Sequence, residues 1–178
     1  MNTRKSWREK MENPKLPKLV AIPPRMQKRY GTGTMLLPSP SQVEAFIRTV
    51  PEGSITTVSG IRRYLASKNM ADIACPLLTG MFVRLAAEAA EEDAGRGVAG
   101  ITPYWRVVRD DGSLNPKFPG GSDRQAERLR AEGHRIVAGA GNRKPRVLLQ
   151  DVAGIHPDGA VRSREAGKRS LVRSDDLD

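Results

Sequence analysis

Apolar residues return along this chain mainly at helical spacing, with a few short runs at strand spacing between them. Ser41-Gln42-Val43-Glu44 fits a capping box, and Val43, Ala45, Phe46, Ile47 and Val50 behind it predict a helix of about ten residues starting near Ser41. Pro51-Glu52-Gly53 ends that helix. Ile55-Thr56-Thr57-Val58 reads as a short strand, and Thr57 or Ser59 is placed to cap a second helix through Ile61, Tyr64 and Leu65. A third, longer helix is predicted from Pro76, a residue suited to the first helical position, through an Ala/Glu-rich stretch to about Glu92. Leu77, Leu78, Met81, Phe82, Leu85, Ala86 and Ala89 form one broad apolar stripe along it, so it should be half buried. Its end, with Glu88, Glu91, Glu92 and Asp93, reads as a solvated acidic surface.

The pattern then changes. "ITPYWRVVRDDGSLN" predicts strand, Asp111-Gly112 turn and strand, a hairpin or wing. "PKFPGG" reads as a stiff loop with close backbone approach at its glycines, and a helix should open at Ser122-Asp123-Arg124-Gln125 and stop at Gly133. "RIVAG" and "PRVLLQD" look like edge strands, and the Gly/Arg/Ser/Asp-rich stretch from Ala153 reads as loosely ordered. These elements divide the chain into a basic arm (1–38), a central domain (39–137) and a C-terminal strand with a loose tail (138–178). The expected fold class is α+β, mainly α. Two helices joined by a short connection and followed by a hairpin suggest a winged helix-turn-helix, a unit whose second helix enters a DNA groove.

Charge sharpens this reading. The net charge of +10 is uneven: residues 1–30 carry nine Lys/Arg against only Glu9 and Glu12. With Pro14, Pro17, Pro23 and Pro24 in the same stretch, the arm reads as a flexible, extended polyanion-binding segment, the alternative being a solvated tail that aids solubility. Arg62, Arg63, Lys68, Arg84, Arg109, Lys117 and Arg124 are candidate phosphate contacts around the helices and wing. One cysteine and two histidines exclude an internal disulfide and argue against a structural metal, His134 and His156 reading as surface residues. No apolar run reaches the ~18 residues of a membrane span, and the basic start lacks the apolar core of a signal peptide, so a cytoplasmic, monomeric protein without cofactor is expected.

In a chain with 4% aromatic residues, Tyr104 and Trp105 stand side by side in "TPYWRVV". Here, and from about Ser39 to Ile136, the chain resembles the DNA-binding domain of O6-alkylguanine-DNA alkyltransferases, and more closely their non-catalytic relatives, the alkyltransferase-like proteins. "VPEGSITTVSGI" is similar to that family's strand leading into a helix, "CPLLTGMFVRLA" to its recognition helix, "PYWRVVRDDGSL" to its Pro-Cys-His-Arg-Val motif, and "FPGG" with "RQAERLRAEG" to its pocket loop and closing helix.

The resemblance implies a site of defined chemistry, which this chain lacks in part. The family's enzymes move an alkyl group from a flipped-out guanine onto a cysteine poised by histidine, water and glutamate. Those positions are Tyr104, Trp105 and Glu132 here. A phenol with an ordinary pKa near ~10 is a poor nucleophile at neutral pH, and an indole has no basic nitrogen, so no catalytic residue and no alkyl transfer are expected. What the resemblance implies instead is recognition of DNA, including alkylated bases, on behalf of repair proteins. Its pocket would be lined by Tyr104, Trp105, Phe118, Pro119, Gly120 and Gly121, with Arg106 structural. Because strand residues alternate faces, only one of Tyr104 and Trp105 should point into the pocket, and Tyr104 is the choice. The family's base-stack arginine corresponds to Leu77 and its phosphate-rotating tyrosine to Val58, with Thr57 and Thr79 beside them as further DNA contacts. Leu77 then reads either as an apolar wedge between base steps or as core. Two rival readings stand: an active acceptor at Cys75, which precedes a helix N-terminus, and a non-specific architectural DNA- or RNA-binding protein.

Overall fold

Each helix starts where a residue arrests the preceding chain. In the computed structural model, which describes residues 5–139 and 144–147 and the backbone at 154–155 and 161–162, Thr57 is extended and its Oγ1 accepts the N–H of Gly60 at 3.1 Å, opening helix α4 over Val58–Lys68. Pro76 opens α5, Pro76–Gly95, behind Cys75. Helix α3, Pro40–Thr49, is capped two residues earlier than expected. Ser39 and Gln42, rather than Ser41 and Glu44, form the capping box, because Pro40 at the first helical position fixes the backbone one residue after Ser39.

The core lies where α3 and α4 pack on α5. Val43, Phe46, Ile47 and Val50 from α3 and its end, and Ile61 and Leu65 from α4, are all buried. Opposite them α5 presents Phe82, Val83 and the small Ala86, Ala87, Ala89 and Ala90, whose short side chains let neighbouring helices approach closely. Full burial of each large aliphatic or aromatic side chain stabilises by about 1.5–3 kcal/mol. The stripe predicted for α5 is correct in its middle and wrong at its start: Leu77 is 70% exposed and Met81 53%. The buried face at this end is carried by Thr79 and Phe82 instead.

Residues 5–38 are a folded layer and not an extended arm. They contain α1 (Trp7–Met11), β1 (Lys18–Ala21), α2 (Pro24–Tyr30) and β2 (Thr34–Leu37). β1 pairs antiparallel with β2, and β2 pairs in parallel with β4 (Ile73–Ala74), placing the layer inside the same fold as residues 39–137. Two local causes outweigh the charge and proline count. Val20, Ile22, Met35 and Leu36 supply apolar positions that the sheet covers, and Pro23-Pro24 initiates α2 rather than breaking it. Helix α1 docks on α5 through buried Met11 and through Arg8, which binds Glu44 at 2.9 Å and also pairs with Asp93.

The expected hairpin is replaced by another arrangement. Tyr104–Arg106 form a single 3-10 turn, and β5 (Val107–Val108) pairs in parallel with β3 (Thr56–Thr57), 51 residues earlier, in register Thr56 to Val107. Gly112, at φ +79°, lets the chain reverse, and Arg109 N–H donates to Ser113 O at 3.0 Å. After that the chain leaves β5: Leu114 N–H bonds Pro145 O at 3.0 Å, alongside β7 (Arg146–Val147). Both valines of β5 are buried, so this strand needs cover on both faces, which a solvent-facing wing does not give. Helix α6, Gly121–Ala131, stops before Gly133 at φ +88°, as expected, and the strands expected on either side of residue 140 are β6 (Ile136–Val137) and β7, which pair antiparallel with each other. Beyond these, β8 (Gly154–Ile155) and β9 (Val161–Arg162) pair antiparallel. The rest of the tail expected to be loose from Ala153 lies outside the described residues.

Candidate nucleic-acid interface and the degenerate acceptor site

Tyr104 lies at the position where the resemblance places an acceptor, and its surroundings decide what it can do. The 3-10 turn, closed by Arg106 N–H to Pro103 O at 3.1 Å, rotates successive side chains by about a third of a turn, so Tyr104 and Trp105 diverge without strand alternation. Tyr104 goes inward and is fully buried, whereas Trp105 is half-buried. The Tyr104 ring meets Trp105 edge to face at 5.5 Å and Phe118 at 5.3 Å between centroids. Its hydroxyl donates to Glu91 Oε1 at 2.8 Å. Burial pushes the phenol pKa well above its ordinary value, and the bond to the Glu91 carboxylate pushes it further. Tyr104 is thus a neutral hydrogen-bond donor in a packed core.

Glu91, read from sequence as part of a solvated helix end, is the centre of a charged cluster. It accepts from Tyr104, from Arg124 at 2.8 Å and from Arg128 at 2.6 Å, while Arg128 lies 4.4 Å over the Trp105 ring. Glu92 and Asp93 hold Arg8 in the same way. Nothing in a helical pattern marks Glu91, since its cationic partners come from α6, more than thirty residues away.

Glu132, which the resemblance sets at a glutamate position, is bound by Trp105 and Arg106. Trp105 Nε1–H donates to it at 2.7 Å, and Arg106 reaches it through Nε at 2.9 Å and Nη2 at 2.8 Å. Arg106 Nη1 also donates to Val50 O at 2.6 Å, so Arg106 ties the end of α3 to the end of α6. Gln125 is a further residue that sequence reading missed. Buried in α6, it donates to Trp105 O at 3.0 Å and Val107 O at 2.9 Å, and its Oε1 accepts Asn115 N–H at 2.7 Å. Its only signal in sequence is a polar residue on the apolar side of α6, beside Ala126 and Leu129.

The expected pocket residues come together but pack instead of lining an open base-sized space. Tyr104 and Phe118 are core, Pro119 is half-buried, and Gly120 at φ +74° turns the loop into α6. A side chain at Gly120 would collide with that of Arg124, while Gly121 at φ +69° is left-handed but open. The rings of Tyr104, Trp105 and Phe118 are packed edge to face.

The candidate DNA contacts separate into two groups. Thr57 and Thr79 are buried and occupied, Thr57 as the α4 cap and Thr79 through its hydroxyl to Cys75 O at 2.8 Å, so neither faces a groove. Leu77, Gly80, Met81 and Arg84 share the exposed face of α5, with open space around Gly80. Arg63, Lys68 and Lys117 are exposed as well, Lys68 donating to Tyr64 Oη at 3.2 Å. Val58 and Arg109 are half-buried, Arg62 donates through Nε to Ala74 O at 3.1 Å, and Arg124 is engaged by Glu91.

The rival acceptor, Cys75, is buried at 8% exposure among Ile22 and Met35, a setting that favours an inert small hydrophobe. His134, expected at the surface, is also 8% exposed, and His156 lies outside the described residues. No helix of the described residues is long and apolar enough to cross a membrane. No protein-family model, no curated protein and no solved structure matches this chain.

Proposed function

We propose that this chain is a non-catalytic, alkyltransferase-like DNA-binding protein that engages duplex DNA through the exposed face of α5, in the manner of a helix-turn-helix, and senses altered bases on behalf of DNA repair. The observation that carries the reading is the exposure of Leu77 and Met81 on a helix that also carries solvent-facing Arg84. Two large apolar side chains held in water beside a cation suit an apolar wedge entering a stacked duplex while the arginine meets a phosphate. Alkyl transfer is no part of the reading, because the residue in the acceptor position is a buried, hydrogen-bonded phenol.

The filled pocket also points to how an altered base would be sensed. A base lodged against Tyr104 would have to displace a fully buried ring, so the discrimination falls to the base step that Leu77 opens. Unstacking costs a few kcal/mol and least at damaged or mismatched bases. The test is competitive binding to matched duplexes with and without one O6-methylguanine, at near-physiological salt, with intact mass read afterwards. Tighter binding to the modified duplex, unchanged mass, and loss of that preference in Leu77→Ala are expected. A gain in mass equal to the alkyl group, or failure to bind either duplex, overturns the proposal. Equal binding to both duplexes favours the second reading, a general DNA-binding protein, for which the burial of Tyr104 is the specific support.

A further inference from the structure

The N-terminal layer carries a charge asymmetry that the packing does not use. From Asn13 to Val43 the chain has five Lys/Arg and no Asp or Glu. Arg8, just before this stretch, is spent on Glu44 and Asp93. Among the described residues Arg25, Lys28 and Arg29 of α2 form no ion pair, and all three are exposed. Their helix is nevertheless fixed in place. Met26 and Tyr30 pack against the cluster of Ile22, Met35 and Cys75, which also receives Leu78 of α5, and Gln27 Nε2 donates to Ile22 O at 2.9 Å.

This anchoring sets the basic face of α2 beside α4. Arg29 and Arg62 lie over the same Tyr30 ring, at 5.3 and 5.6 Å from its centroid. A groove of about 270 Å³ next to Arg62 and Arg63 continues the surface towards β4. One carboxylate lines it, Asp72, which accepts from Thr34 N–H at 2.7 Å and its hydroxyl at 3.0 Å; Asp110, which accepts from Ser59 N–H at 3.1 Å and its hydroxyl at 2.7 Å, offsets part of the Arg62 charge alone. Like charges gathered on one ring repel unless an anion lies over them.

From this we infer that α2 and the Arg62–Arg63 edge of α4 form a second nucleic-acid contact, a clamp on the phosphate backbone of the same duplex that α5 enters. The inference rests on the DNA-binding reading above. The occupant is a duplex backbone because Arg25, Lys28 and Arg29 are exposed cations without an ion pair among the described residues, and such a spaced row of guanidinium and ammonium groups complements repeated phosphate.

The experiment is the salt dependence of binding to an unmodified duplex by full-length protein, comparing wild type with the triple variant Arg25→Gln, Lys28→Gln, Arg29→Gln. Each lost phosphate contact lowers the slope of log K against log salt by about 0.9, so the triple variant should be shallower by about 3 with an unchanged melting temperature. A control that removes three other exposed cations, Arg130→Gln, Arg135→Gln and Lys144→Gln, should keep the wild-type slope. A triple variant with the wild-type slope, or a control that loses as much, overturns the clamp while leaving the DNA-binding reading intact. Loss of binding to phosphatidylserine vesicles with the DNA slope retained assigns the face to a membrane and overturns it too. Wild-type protein that binds no duplex defeats both readings.

Discussion

Removing one negative charge at Glu132 should loosen the whole closing end of the domain. Its side chain is 8% exposed and that of Arg106, its partner, 13%, with the two joined by three nitrogen–oxygen contacts of 2.8 to 3.0 Å. Glu132→Gln keeps the volume and one carbonyl acceptor for Trp105 Nε1, yet turns the second oxygen into an N–H₂ facing a guanidinium. Arg106 then retains Val50 O as an acceptor but has no counter-charge. Breaking a buried pair on one side only costs about 3–5 kcal/mol, because the remaining charge stays desolvated. For a chain of this size about 2–4 °C of melting temperature accompanies each kcal/mol, so a fall of about 6–20 °C is expected by calorimetry or circular dichroism. The double variant Glu132→Gln with Arg106→Met removes the orphaned charge and should recover most of that loss. A single variant within about 1 kcal/mol of wild type would refute the reasoning. So would a double variant no better than the single one.

Further predictions concern the phenol, the acidic turn and the wedge. The Tyr104 phenol should ionise later than ordinary tyrosines, so the last component of the 295 nm titration should vanish in Tyr104→Phe. Because the phenol's pKa is raised on folding, its stabilising effect is present below about pH 10 and fades as pH climbs through the folded value; an early-titrating Tyr104 would contradict its burial. Tyr104→Cys, which places a thiol where the resemblance expects an acceptor, should gain no alkyl mass on alkylated DNA, since Trp105 supplies no base; stoichiometric alkylation would show that the thiol alone suffices. Burial raises the Asp110 pKa but the Ser59 hydroxyl and N–H outweigh it, so the net shift is downward. Its contribution at the start of α4 is therefore present above about pH 4 and lost as pH falls through the lower folded value; Asp110→Asn should melt lower at pH 7 and no differently at pH 2. Leu77→Ala should weaken duplex binding several-fold and leave the melting temperature within error, since the side chain is 70% exposed; a drop of many degrees would mark Leu77 as structural.

What the sequence made legible was whatever depends on neighbours within a turn or two. Thr57 before Gly60 and Pro76 before an alanine-rich stretch are local causes, and α4 and α5 appeared where those residues predict. The folded N-terminal layer was hidden because its strands are four residues long and gain a partner, β4, only from residues 73–74. Charge and proline content there describe what faces water, and α2 does turn its cations outward while Met26 and Tyr30 hold it from beneath. At positions 104 and 105 the residue types alone show a phenol and an indole in place of a thiol and an imidazole. Whether the aromatic pair opens or fills a pocket was not legible, because it is settled by Glu91, Gln125 and Arg128, whose side chains converge only when α5 and α6 meet.

The clamp of Arg8 on Asp93 joins residues 85 positions apart, and this sets an order on assembly. Helix α1 leaves the ribosome before α5, and has nothing on α5 to close on until most of that helix has followed. Helix α1 is therefore synthesised before its partners on α5 and settles only after them. A truncation removing α1 would take away the cover that Met11 gives the core and leave Asp93 without Arg8 in every molecule, as a nascent chain does only in passing.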